Sequence, residues 1–264
     1  MRILNFLFSR SKQEQDKPIR EKLKTRKDFE RVLAEDLDIM ETTKARMDTA
    51  KNINLYMYRS LSYSYILILQ SKYSVDAKID ELRDIYIKSM YYFLQAFNKR
   101  NPIYADILNY VSLGVLLNIP DNNFRQLIDY VKQMDKQAKP SGWTPDLLLW
   151  FMLNSRLKEQ EKLKYAETLA YPRLYNGLYK VIQAPNAAAA KDALNKYLDR
   201  WYNLNSDAPW YNSHLKDNCY RGYWAWEVAA VAKIMHIDDS DLKNNQYYPY
   251  DMVHWADNET TAKE

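Results

Sequence analysis

Glycine and cysteine are scarce in this chain, and each scarcity removes a class of function. The four glycines in 264 residues are Gly114, Gly142, Gly177 and Gly222. They are too few and too scattered to write a phosphate-cradling loop or a dinucleotide-binding fingerprint, so nucleotide-dependent chemistry loses its commonest routes. A β-sandwich would also need many more Gly and Pro turns. Cys219 stands alone, which rules out an intrachain disulfide framework; nothing demands an oxidising compartment, and the cytoplasm is the expected location. His214, His236 and His254 are scattered and do not form the two-His helix face of a zinc protease, so neither a metal site nor a cofactor is expected. Long apolar runs are missing as well. The densest patch, Tyr65 to Leu69, is interrupted by Gln70 and Lys72, short of the roughly 18 residues a membrane span needs. Ile3 to Phe8 is too short for the apolar core of a signal peptide. Export by that route and membrane insertion are not expected.

What is present points to helices. The chain is 47% hydrophobic and 27% charged, with 23 Tyr and 7 Trp, a composition that can bury a large core and does not suit a disordered chain. The net charge of +4 hides an asymmetry. Basic residues outnumber acidic ones by six over residues 1–100 and by three over 101–200, whereas acids lead by five over 201–264. A basic N-terminal half raises the prospect of nucleic acid, but Arg20 to Arg31 interleaves Glu21, Asp28 and Glu30 rather than forming one block, as a solvated helix face does.

Hydrophobic spacing places the elements. Phe29, Val32, Leu33, Leu37 and Met40 recur at helical spacing from about Arg26. Ile53 to Lys72 reads as a second helix, and Ile79 to Phe97 as a third with Ser74 or Asp76 near its N-cap. Asn101-Pro102 is a turn leading into a helix that ends near Ile119, and Pro120-Asp121 opens the next. Lys139-Pro140-Ser141-Gly142 is the expected boundary, after which Thr144-Pro145-Asp146 reads as an N-cap with Pro in the first turn. Pro172 and Pro185 punctuate shorter helices, Ala187 to Trp201 is amphipathic, and Tyr220 to Met235 reads as a central buried helix. The expected fold is all-α: two packed helical bundles of about ten or more helices. The expected divisions are a flexible arm over 1–25, an N-terminal domain over 26–140, a C-terminal domain over 143–258 and a tail over 259–264.

No catalytic constellation assembles from these residues. Cys219 and His214 lie five apart, but sequence proximity arranges neither a base nor oxyanion donors. Glu227 falls among Trp224, Trp226, Val228 and Val231; it reads either as an acid or base with a raised pKa or as a core carboxylate held by a Tyr, Trp or Arg donor. Asp238-Asp239-Ser240-Asp241 is either a negative surface or a set of N-caps. Pro209-Trp210-Tyr211 and Tyr247-Tyr248-Pro249-Tyr250-Asp251 combine Pro-set turns with aromatics suited to packing or to a partner.

The run Gly222-Tyr223-Trp224-Ala225-Trp226-Glu227-Val228-Ala229-Ala230-Val231-Ala232, then Ile237 to Leu242 and Tyr247 to Val253, resembles the C-terminal domain of PoNi-type immunity proteins. Tyr171-Pro172 and Ala187 to Trp201 fit the same domain, and Ser60 to Ser89, with Tyr73-Ser74, resembles the PoNi N-terminal domain. The resemblance implies an all-helical, non-enzymatic immunity protein of a polymorphic toxin system, made beside a nuclease effector delivered into competing bacteria. Its partner would be that cognate nuclease toxin, bound and blocked as a protein, with no nucleic acid or membrane involved and an oligomeric state left open. A sequence pI near 8.8 departs from the acidity common in DNase inhibitors unless the acidic C-terminal quarter makes the contact. The expected partner-binding residues are therefore Asp207, Trp210, Asp217, Asp238, Asp239, Asp241, Tyr247, Tyr248 and Asp251. The alternatives are a helical nucleic-acid-binding or scaffold module, and a hydrolase built around Glu227 and His214.

Overall fold

The first long apolar stripe becomes a helix because its start is fixed at both ends of a capping box. In the computed structural model, which describes residues 18–96, 103–138 and 141–255, Thr25 caps α1 (Arg26–Thr49), and Asp28 closes the reciprocal bond. Asn54 caps α2 (Leu55–Val75) in the same way, and α3 spans Ile79–Ala96. Ser74 lies inside α2, where its hydroxyl donates to the Arg221 carbonyl at 2.6 Å, and Asp76 ends that helix rather than capping the next. The Asn101-Pro102 turn lies outside the described residues.

The remaining helices are α4 (Tyr104–Leu116), α5 (Asp121–Gln133), α6 (Leu147–Asn154), α7 (Pro172–Ile182), α8 (Ala187–Leu204), α9 (Trp226–Ile234) and α10 (Tyr250–His254). The protein is all-α, with ten α-helices and no strand among the described residues. A π turn, Met134–Ala138, follows α5. Asp146, not Thr144, caps α6: its carboxylate accepts from Leu149 N and from the Tyr104 hydroxyl. The expected long helix from Tyr220 is also shorter, starting at Trp226, because Tyr220 to Ala225 runs without helical structure and holds other partners.

With glycine rare, two helix ends use other residues in the left-handed region. Asn118 (φ 43°) ends α4 and His236 (φ 51°) ends α9. In each case the two amides past the helix cap turn back to its last turn, Asn118 N to Val115 O and Ile119 N to Gly114 O, His236 N to Lys233 O and Ile237 N to Ala232 O. This double bond pattern satisfies carbonyls that would otherwise be orphaned.

The described chain divides into two compact units. One holds α1 to α3, the segment from residue 18 and a later insert, Asn212–Tyr223; the other holds residues 103–211 and 224–255. By packing, residues 103–138 group with 141–211 and 224–255, and Lys139 and Pro140 of the expected boundary lie outside the described residues. The arm expected through residue 25 is packed from residue 18 onward: Arg20 donates to the Tyr73 and Ala77 carbonyls at 3.0 Å, and Glu21 is buried. In the first unit α2 packs against both α1 and α3, and the insert is held by buried polar groups. Arg221 forms a two-pronged pair with Asp36 at 2.7 and 2.6 Å, and the Tyr220 hydroxyl donates to Glu21.

In the second unit α9 lies against α4. Ala229, Ala230 and Ala232 are fully buried there, small side chains that let the two backbones approach. The Leu116 carbonyl at the end of α4 accepts from Lys233 Nζ at 3.2 Å and from Trp255 Nε1 at 2.8 Å.

Candidate partner-binding surface

The candidate surface is built on α8 of the second unit. Asn186 caps that helix by accepting from Ala189 N at 2.9 Å, and Ala190, Leu194, Tyr197, Leu198 and Trp201 recur on its buried face. The flanking positions Lys191 and Asn195 reach the Ser240–Leu242 turn. Lys191 Nζ lies 2.8 Å from Asp238 and 3.2 Å from Asp241, while Asn195 Nδ2 donates to Asp241 at 3.0 Å. The Lys191 hydrogen bond holds the Asp238 carboxyl far below its ordinary value. Partial desolvation works against ionisation of Asp241, but the bonds from Asn195 and Lys191 outweigh it and lower its pKa too. Both acids are exposed and ionised, with one lysine between them sharing their charge.

Asp239, between them in sequence, faces inward. It is 3% exposed and accepts from the Tyr248 hydroxyl at 2.6 Å, with His254 Nε2 2.8 Å from its other oxygen. Tyr248 is 2% exposed, and burial, then the bond to Asp239, pushes its phenol well above the ordinary range. These two expected contact residues hold the last helix to the preceding loop and present nothing outward.

At the far end of α8 the rings gather. Trp210 stacks on Trp201 at 5.4 Å and 18°, Tyr247 on Tyr202 at 5.4 Å and 4°, and Tyr211 on Tyr202 at 4.5 Å. Trp210, Tyr211, Tyr202 and Tyr247 are half-buried, so their edges form an aromatic platform. Trp210 and Tyr247 are expected from sequence; Tyr202 and Tyr211 are not, although Tyr202 adjoins the buried Trp201 and so must lie on the flank of the apolar face. Asp207 is exposed and pairs with Arg173 at 2.9 Å. Asp251 is half-buried in the first turn of α10. Asp217 is exposed on the insert of the first unit, where its carbonyl accepts from Arg31.

Glu227 has the environment of a core carboxylate. Burial raises it to about 7, against hydrogen bonds from its own backbone and from Trp201 Nε1 at 2.6 Å. Tyr175 and Tyr197 are raised by burial and then by the charge of Glu227. His214 sits in the other unit, its Nδ1 2.9 Å from the Tyr223 hydroxyl, and Cys219 is exposed with Sγ 3.8 Å from the Ser213 carbonyl. Among the described residues no group of three or more His, Cys, Asp or Glu could hold a metal ion, and no helix is long and apolar enough to cross a membrane.

Residues 10–129 match the family model for PoNe immunity protein (PoNi), N-terminal, and residues 144–252 match that for PoNe immunity proteins (PoNi), C-terminal. The chain belongs to the PoNe immunity proteins. A PoNi protein serves immunity against a polymorphic nuclease toxin, and the cognate toxin is the partner that membership implies. Protein PA2201 from Pseudomonas aeruginosa has a crystal structure similar to that of this PoNi chain, with a TM-score of 0.72 and 18% identity over 97% of this chain and 95% of that one. At that identity the likeness is one of fold. No curated protein matches the chain.

Proposed function

We propose that this PoNi protein binds its cognate bacterial DNase directly in the cytoplasm and neutralises it by protein–protein contact, without catalysis of its own. The observation that carries this reading is the match of both halves of the chain to the two parts of one immunity family. The second unit supplies a surface suited to a cationic cleft. Asp238 and Asp241 stay ionised at the end of one helix, and exposed Asp207 lies in the loop before the platform of Trp210, Tyr211, Tyr202 and Tyr247. Charge guides encounter and orientation, and half-buried aromatics supply anchors of rigid shape. Asp251, half-buried in the first turn of α10, is a further expected contact on this unit, and Asp217 is one on the insert of the first unit. Asp239 and Tyr248 act behind this surface by fixing its loop.

Trp210→Ala tests the assignment. Its ring lies over Trp201 at the edge of the unit, so the expected result is retained helicity by circular dichroism with about 2 kcal/mol or more of lost affinity for a catalytically inactive toxin. Unchanged affinity in the folded variant removes the platform from the interface.

A further inference from the structure

The first unit carries a feature that the acidic surface does not use. Of the exposed large apolar side chains, Ile39, Ile53, Leu55, Tyr56, Tyr63 and Tyr91 all lie on α1 to α3 or in the turn before α2. Exposed apolar side chains gathered into a contiguous patch mark interaction sites, and Tyr91 on α3 is the one of these six that lines a hollow in this unit. Between α1 and α3, with α2 as the floor, Lys44, Tyr65, Ile87, Lys88, Tyr91 and Tyr92 line a hollow of about 320 Å³.

Its rings form one cluster. Tyr65 stacks on Tyr92 at 5.7 Å and 9°, Tyr91 meets Tyr92 edge-on at 5.2 Å, and Tyr58 lies 6.3 Å from Tyr92. Burial raises the phenols of Tyr65 and Tyr92 above their ordinary value, so both remain neutral donors at pH 7. Tyr91 is 56% exposed, with contact area still to bury. Lys44 and Lys88 are exposed at the rim, and no ion pair to either is formed among the described residues. Asp48, one turn along α1 from Lys44, also acts on Tyr92, and Asp84 lies one turn before Lys88 on α3, while the two charged side chains that line the hollow itself are both lysines.

A floor of rings and phenol donors under a cationic rim fits an apolar segment that carries carboxylates. It does not fit a nucleic-acid strand as well, because two lysines opposed by an aspartate make no continuous track for successive phosphates. We propose that this hollow is a second docking site for the nuclease toxin, taking a toxin segment in which a carboxylate is flanked by apolar side chains. The proposal rests on the immunity reading and adds to it: contact is made by the first unit as well as by the acidic C-terminal quarter, and with the opposite charge.

The test is calorimetric titration of the full-length protein with a catalytically inactive cognate toxin. Lys44→Glu/Lys88→Glu and Tyr91→Ala, all at exposed positions and checked for unchanged helicity, should each weaken binding by about tenfold or more. Lys44→Arg/Lys88→Arg, which keeps the charge, should bind nearly as the unaltered protein does. Affinity within about twofold of the unaltered protein for both the charge reversal and Tyr91→Ala overturns the proposal. So does a charge reversal that abolishes binding of a labelled duplex of about 20 base pairs while leaving toxin affinity intact. If the unaltered protein itself fails to bind the toxin, the immunity reading by direct contact falls, a result distinct from either of these.

Discussion

At Glu227 a single carboxylate ties the core of the second unit to pH. Its folded-state value of about 7 lies above the ordinary 4.5, so between those values the folded protein keeps a proton that the unfolded chain has lost. Stability from this group is therefore fully present below pH 4.5 and declines as pH rises toward 7, by roughly 3 kcal/mol in total. Glu227→Gln keeps an oxygen for the Trp201 indole and removes the titration. Urea unfolding should find the variant close to the unaltered protein at pH 5 and more stable by up to roughly 3 kcal/mol at pH 8. Equal stability at both values would mean that the carboxylate ionises without cost. His236 offers a second check at this scale. It occupies a left-handed position that costs a side chain about 1 kcal/mol and glycine almost nothing. His236→Gly should raise the thermal midpoint; a lowered midpoint would point to a contact of the imidazole that outweighs the backbone strain.

The choice among Asp238, Asp239 and Asp241 shows where sequence reading stops at the residue scale. Their clustering is legible, but consecutive residues in a turn point in different directions. Only the positions of Tyr248, His254 and Lys191, set by two other segments, decide that the middle acid is buried and its neighbours are not.

At the scale of elements, the insert Asn212–Tyr223 is the piece whose role depends most on distant residues. Asp36 on α1 is almost wholly buried, and burial is the leading influence on its pKa, raising it despite the Arg221 bonds. Removing either partner leaves the other charge buried without compensation. Asp36→Ala and Arg221→Ala should each lower stability by about 3–5 kcal/mol, and the double variant should lose clearly less than the sum. Additive losses in a double-mutant cycle would show the two to be uncoupled. This pairing spans 185 positions, which is why no local pattern exposes it. The apolar spacing of α1 and the Pro-led starts of α5 and α7 are readable because each is written in the spacing of near neighbours along the chain. The cap of α6 was not, since Thr144 and Asp146 are both capable residues and the difference is made by Tyr104 and Ala170, which bond the Asp146 carboxylate. The long helix expected from Tyr220 fails for a related reason: Tyr220 and Arg221 are apolar or long enough for a helix but are engaged by Glu21 and Asp36.

For the whole molecule, the sequence shows a basic N-terminal region and an acidic C-terminal one, and the two proposed contacts fall one in each. The acids of the second unit are tempered by Lys191 and Arg173, so in the proposed complex they would contribute orientation at long range more than affinity. Raising salt from about 50 to 500 mM should slow association with the toxin by an order of magnitude or so while changing dissociation little, because screening acts on exposed charge and spares buried rings. A salt-independent association rate would place the acids outside the encounter.

Direct binding of the toxin is what the proposed neutralisation requires. A catalytically inactive form of the cognate DNase, titrated with the purified protein in the absence of DNA, should give a saturable complex of defined stoichiometry, and the active DNase should lose its cleavage of DNA at that same ratio. Full cleavage in the presence of excess protein, with no heat of binding and no co-elution, would contradict neutralisation by contact.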